Sequence, residues 1–354
     1  MSVAEVLAPA PDLGGPQQPL LEVRGMSKHF PVRGGFVGKV GVVRAVDDVS
    51  FSVEKGEVLG IVGESGCGKS TTARLVIGLI QPDAGSVVLD GEKLGVSLSL
   101  RDLRRSVQMV FQDSYASLNP RLTVEASIAF GPAVHGVASG EARARAHDLL
   151  RKVGLDPATF ADRYPHELSG GQRQRVNIAR ALALAPRLVL LDEAVSALDK
   201  SVEAQVLNLL IDLKDDLGLT YVFISHDLNV VRFISDRVIV MYLGEVVESG
   251  PVEALWSDAR HPYTRALLAA MPSLDPDNRT KEAPIAGDPP NPINPPSGCR
   301  FHTRCAFAED VCSARSPSLF ATGNDRHTAA CHMVDPASGH SKAGQSSHRE
   351  PKHA

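Results

Sequence analysis

Two glycine-rich strings hold most of the chemistry of this 354-residue chain. The first, Gly63-Glu64-Ser65-Gly66-Cys67-Gly68-Lys69-Ser70-Thr71, fits the pattern G-x-x-x-x-G-K-[ST]. Glycines at these positions let consecutive backbone N–H groups converge on phosphate oxygens. A helix opening at Lys69 adds the positive end of its dipole. The Lys69 ammonium suits the β- and γ-phosphates, and the Ser70 hydroxyl suits Mg²⁺. Cys67 reads as a small residue tolerated inside the loop. The competing explanation, an ordinary glycine-rich turn, fits poorly with the strand before it and the helix after it. Further along, the apolar run Leu188–Leu191 leads directly into Asp192-Glu193. A buried strand ending in an acid places Asp192 beside the phosphates, where it can hold the Mg²⁺ shell. Glu193, one residue on, is placed to polarise an attacking water.

The second string is Leu168-Ser169-Gly170-Gly171-Gln172, followed by Arg173-Gln174-Arg175. It is another anion cradle opening a helix, because Ser169 can cap and the glycine amides stay exposed. One triphosphate has no obvious need of two cradles from one subunit. The economical expectation is that this second cradle serves a nucleotide bound to a neighbouring subunit.

These loops need strands and helices to position them. Val58–Val62 ends in Gly63 as a buried strand would, and Lys69–Ile80 follows as a helix with Ala73, Val76, Ile77 and Ile80 on one face. Leu188–Leu191, Thr220–Ile224 and Val107–Phe111 are further strands. Arg237–Met241 and Glu245–Ser249 flank Leu243-Gly244 as a hairpin. The alternation predicts an α/β fold with a largely parallel sheet over residues 21–275. From about 114 to 185 the apolar spacing turns helical (Val124–Val134, Ala142–Val153, Val176–Leu184), predicting a helical subdomain. Residues 1–20 are expected to be a flexible leader. The stretch Pro289–Gly298, with five prolines in ten positions, is a stiff linker within a C-terminal extension of residues 276–334. Residues 335–354 are polar and expected to be disordered.

Composition limits the function. Thirty-seven Lys and Arg against 41 Asp and Glu leave a net charge of −4, which argues against nucleic-acid binding by bulk positive charge. No stretch approaches the roughly 20 apolar residues of a membrane span. Ala126 to Gly140, uncharged throughout, is broken by Gly131, Pro132 and Gly136. Met1 to Leu20 lacks the basic start of a secretory signal, so an intracellular protein is expected.

At this point the sequence resembles the ATP-binding subunits of ABC transporters, over about residues 21–275. The resemblance implies roles for other residues found in the family's order. Gln112 matches the glutamine loop that contacts Mg²⁺ and senses the membrane partner. Ser196-Ala197-Leu198-Asp199 matches the loop that crosses the dimer interface. His226 matches the switch histidine at the γ-phosphate, and Phe30 falls where an aromatic ring meets adenine. Ala194-Val195 departs from the Pro-Thr of many relatives without replacing Glu193. The implied fold is a P-loop ABC-ATPase domain with a mixed sheet core, and the implied cofactors are ATP and Mg²⁺. The implied catalytic set is Glu193, His226, Lys69 and Gln112.

The segment His261-Pro262-Tyr263-Thr264-Arg265-Ala266-Leu267-Leu268 is similar to the start of the C-terminal extension of oligopeptide, dipeptide and nickel importer ATPases. That branch implies import of peptides, with nickel or another small solute as the alternative cargo. It also implies a dimer with an identical or paralogous ATPase subunit, two integral-membrane permease subunits and, indirectly, a substrate-binding protein. The expected location is the cytoplasmic face of the plasma membrane. Cys299, Cys305, Cys312 and Cys331 lack the spacing of a zinc ribbon, and four thiolates suit zinc or an iron–sulfur cluster equally. The resemblance points to [4Fe–4S], with disulfides or an empty site as alternatives. Competing functions are a DNA-repair or chromosome-structure ATPase, a ribosome-acting cassette protein, and a redox sensor with ATPase output. The first needs a long coiled coil or inserted zinc module, and the second two cassettes in one chain. The sequence has neither.

Overall fold

A computed structural model describes residues 8–15, 17–33, 40–271, 287–321 and 326–344. Its main body is an eight-stranded sheet ordered β11-β12-β10-β9-β3-β8-β7-β6. The central strands are β3 (Val58–Val62), β6 (Val107–Val110), β7 (Leu188–Asp192), β8 (Thr220–Ile224) and β9 (Arg237–Tyr242). Neighbours among these five run parallel. Strand β10 (Glu245–Pro251) turns back antiparallel on β9 as the expected hairpin. Two short strands, β11 (Phe320–Ala321) and β12 (Thr328–Ala329), continue the sheet beyond it.

A second, antiparallel sheet of order β2-β1-β4-β5 is built from β1 (Leu21–Arg33), β2 (Val40–Val53), β4 (Ala84–Leu89) and β5 (Glu92–Lys93). The two sheets share a core. Because side chains alternate along a strand, Leu59, Ile61, Leu188, Leu190, Val222 and Ile224 face this sheet. Val58, Val62, Val189, Leu191, Tyr221 and Phe223 point to the opposite core, against the helices. Both faces are covered, so β3, β7 and β8 are unbroken apolar runs rather than alternating ones.

Between β6 and β7 the chain is helical, with helices Val124–Val134, Ser139–Lys152 and Gly170–Leu182. They pack through Ile128, Leu149, Leu150, Val176 and Ile178 onto the same core. Helix Lys69–Val76 ends earlier than the apolar pattern suggests, because Gly78 turns the chain with φ 68°.

The terminal regions depart from expectation. The described part of the leader is tied down rather than loose: Leu13 N–H donates to Asp90 at 2.7 Å, and Arg187 reaches the Pro11 carbonyl at 3.0 Å. Residues 335–344 are also packed, against the expectation of disorder. His340 is buried and lies 2.9 Å from the Phe307 carbonyl, and Gly344 N–H donates to the Met333 carbonyl at 2.9 Å. The polar composition of both segments hides that their partners sit elsewhere in the chain. Residues 345–354 and 1–7 lie outside the described residues.

Candidate functional site

The loop from Gly63 to Thr71 leaves the end of β3 and enters helix Lys69–Val76. Glycine is needed at both ends of the turn. Gly63 has φ 148° and a Cβ there would lie 2.2 Å from the Met241 carbonyl; Gly68 has φ 111° and a Cβ would lie 2.2 Å from that of Ala45. The backbone is thus wedged between two strands, with no room for a side chain at either glycine. Lys69 is buried and curls over the loop, donating to the carbonyls of Gly63 at 2.7 Å and Glu64 at 3.0 Å. Burial raises the pKa of the Cys67 thiol, so it sits in the loop as a packed, neutral group.

Strand order brings the acids alongside. β8 lies between β3 and β7, so the end of β7 stands across from the loop. Ser70 Oγ donates to Asp192 at 2.8 Å. Burial raises the pKa of the Asp192 carboxyl, while the Ser70 hydrogen bond pulls it back. A hydroxyl and a carboxylate oxygen in contact make a ready pair of hard ligands for a Mg²⁺ ion.

Glu193 adopts a left-handed backbone, φ 48°, and its N–H is held by the Ile224 carbonyl at 2.9 Å. Its carboxylate accepts from Gln112 Nε2 at 2.8 Å and lies 3.5 Å from His226 Nδ1. An open cleft of about 450 Å³ is lined by Ser65, Lys69, Ser70, Gln112, Glu193 and His226, together with Ala45, Gly66, Gly68 and Thr71. It combines a nest of amides and an ammonium for phosphate, hard oxygens for a divalent cation, and a carboxylate to orient water.

The remaining residues singled out from the sequence lie outside that lining. Ser169 caps helix Gly170–Leu182 reciprocally with Gln172: Gln172 N–H donates to Ser169 Oγ at 3.3 Å, and Ser169 N–H to Gln172 Oε1 at 3.0 Å. This turn, with Gly170 and Gly171, stays at the surface and Ser169 is exposed. Asp199 begins the helix Lys200–Leu217 and is exposed too. Phe30 is half-buried on β1 opposite Val43, beneath the Lys28 ammonium at 5.7 Å.

Two contributors were not legible in the sequence. Tyr263 Oη accepts the Glu64 N–H at 2.9 Å, and Arg304 pairs with the Glu64 carboxylate at 2.9 Å. They come from segments 199 and 240 residues downstream; the segment 261–268 stood out in the sequence, but nothing local ties either residue to Glu64.

The four C-terminal cysteines are free thiols lining one apolar cavity beneath Phe301. Among the described residues, no three His, Cys, Asp or Glu side chains converge as a ready-made metal-binding group. Burial pushes the Cys299 thiol up to about 12 and Cys331 up to about 11. Phe301 packs against Tyr242, Tyr263 and His261, which joins this region to the main sheet. Glu248, fully buried on β10, lies 2.7 Å from His327 Nε2 and accepts the N–H groups of Arg260 and His261.

Fold and cleft together define a P-loop nucleotide-hydrolysing protein with a helical subdomain. The ABC transporter family profile matches residues 46–196, and that of the oligopeptide/dipeptide transporter C-terminal region matches residues 247–312. The chain is 50% identical to the oligopeptide transport ATP-binding protein of Bacillus subtilis, over 90% of this chain and 98% of that one. It is 47% identical to the dipeptide transport ATP-binding protein of Haemophilus influenzae, over 90% and 97% respectively. Among solved structures, cbiO1 of Clostridium perfringens, part of an ABC transporter complex, superposes with TM-score 0.58 at 28% identity, covering 68% of this chain and 92% of that one. The chain belongs to the ATP-binding proteins of ABC transporters and is an ATPase of that family. Among the described residues, no helix is long and apolar enough to cross a membrane.

Proposed function

We propose that this ATPase powers peptide import through a membrane permease. The observation that carries the mechanism is the separation of the two cradles. Lys69, Ser70, Gln112, Glu193 and His226 share one cleft, while Ser169 is exposed and Gly171 half-buried, both outside its lining. Two subunits closing head-to-tail would bring the Ser169 turn of each onto the nucleotide held by the other. Binding energy then becomes closure, since the two half-sites meet only across a bound nucleotide.

In that closed pair Lys69 and the loop amides not already bonded within the chain would hold the β- and γ-phosphates. Ser70 and Asp192, with Gln112, would hold Mg²⁺, which when bound would supply positive charge against the phosphates. Glu193 accepts the proton of the attacking water, and Gln112 and His226 orient its carboxylate. His226 also faces the γ-phosphate. Phe30 stacks on adenine, and Asp199 lines the seam between subunits. The Gln112 segment is the docking place for the permease, of which two copies sit with the ATPase pair at the cytoplasmic membrane face. Peptide cargo is supported by relatives near 50% identity over nine-tenths of the chain; nickel is the second reading.

We infer that the four cysteines of the C-terminal region would hold a [4Fe–4S] centre. Cys299, Cys305, Cys312 and Cys331 line the same small cavity, and a cubane takes one thiolate per iron rather than four converging on one ion. His261 lines the same cavity; its Nδ1 accepts the Tyr263 N–H at 3.0 Å, and its buried Nε2 lacks a protein partner. With Nδ1 accepting, a neutral ring carries its proton on Nε2. When bound, the cluster supplies a structural staple, replacing thiol protons with iron.

Co-purification followed by uptake of labelled dipeptides, oligopeptides and nickel tests the function; nickel uptake without peptide uptake contradicts it. Anaerobic purification should yield iron and acid-labile sulfide in equal amounts. Stoichiometric zinc with neither contradicts the cluster.

A further inference from the structure

We propose that Arg304, carried by the cysteine-rich region, is a positioning residue for nucleotide binding, because it pins and neutralises Glu64 of the phosphate loop. The inference rests on the reading of the Lys69 cleft as the ATP site.

Every polar group of Glu64 is held. Its N–H donates to Tyr263 Oη at 2.9 Å, its carbonyl accepts from Lys69 Nζ at 3.0 Å, and its carboxylate takes the Arg304 fork at 2.9 and 3.2 Å. Such a bidentate pair fixes direction as well as charge. Arg304 is fixed in turn. Its side chain is 7% exposed, Nη2 donates to the Gly287 carbonyl at 2.9 Å, and Nη1 lies 3.4 Å from Tyr242 Oη. It ends the short 3-10 turn His302–Arg304, which is bracketed by Cys299 and Cys305 through the bonds His302 N–H to Cys299 O (3.0 Å) and Cys305 N–H to His302 O (3.2 Å).

The electrostatic consequence has a definite sign. The Glu64 carboxylate stands in the loop that must receive a polyanion. Paired with Arg304, it presents no net charge to the triphosphate. Unpaired, it repels the triphosphate through a partly exposed, incompletely screened path. Loss of Arg304 therefore weakens ATP binding, and removing the Glu64 charge as well restores it. A residue that merely packed the C-terminal region would show no such rescue.

The test measures Mg²⁺-dependent binding of N-methylanthraniloyl-ATP to the full-length chain. Wild type must bind; if it does not, the reading of the cleft fails rather than this inference. Arg304→Met should bind about tenfold more weakly, and Glu64→Gln/Arg304→Met should recover to within about threefold of wild type. Arg304→Lys, which keeps the charge and loses the fork, should fall between them. In the assembled transporter, Arg304→Met should raise KM for ATP with kcat retained. Thermal melting of the nucleotide-free variants reports folding; if Arg304→Met does not fold, Arg304→Lys against Glu64→Gln/Arg304→Lys carries the same comparison. Wild-type affinity in a folded Arg304→Met, or a double variant as weak as the single, overturns the proposal.

Discussion

Replacing Glu193 with glutamine isolates one proton acceptor from everything else at the site. The backbone there is left-handed, and its N–H is anchored on Ile224 at 2.9 Å. Both constraints are unchanged by an isosteric side chain. The new amide oxygen still accepts from Gln112 Nε2, now 2.8 Å from the carboxylate, and the new amide N–H can donate to His226 Nδ1. Geometry is kept and only basicity is lost. General-base loss costs roughly 10²- to 10⁴-fold, or about 3–5 kcal/mol of transition-state stabilisation. Affinity for ATP should hold or rise, because a negative charge leaves the cleft. The assay is single-turnover release of labelled phosphate by the assembled transporter, with nucleotide binding measured in parallel and gel filtration to detect a trapped, ATP-bound dimer. Hydrolysis within tenfold of wild type would refute the assignment of Glu193 as base.

Two further outcomes follow from buried charge. His327→Ala removes a hydrogen-bond partner of the fully buried Glu248, which also accepts from the Arg260 and His261 N–H groups, and should cost about 2 kcal/mol; an unchanged Tm in calorimetry would contradict this. Asp90 is lowered to about 2: against burial, which alone would raise it, the Leu13 N–H, Arg187 and Lys55 stabilise its charged form. A depressed carboxylate contributes stability that is complete above its ordinary value near 3.8 and lost as pH falls through about 2. The gap in denaturation midpoint between wild type and Asp90→Asn should be constant above pH ~5 and shrink below pH ~4. A gap that does not change with acidification rules this out.

The strands and loops of the cleft were legible because their causes are local. Apolar runs covered on both faces mark β3, β7 and β8, and glycines with backbone on top of them mark the Gly63–Thr71 loop. The capping pair Ser169 and Gln172 is likewise a four-residue pattern. What stayed hidden is long-range. Arg304 reaches Glu64 across 240 residues, and His340 finds its carbonyl 33 residues away. The leader looked unstructured because its anchors, Asp90 and Arg187, lie far along the chain. Composition reports whether a segment is polar, not whether its polar groups are satisfied.

The account stands or falls on a shared pocket, and Ser169→Arg tests it in one pair of measurements. Ser169 is exposed and lies outside the lining of its own chain's cleft. The isolated variant should therefore bind N-methylanthraniloyl-ATP within about twofold of wild type. The assembled transporter carrying it should lose hydrolysis by about a hundredfold or more, the scale of one lost oxyanion-type contact plus the failure to close. Near-normal hydrolysis, or nucleotide affinity lost in the isolated subunit, would contradict it.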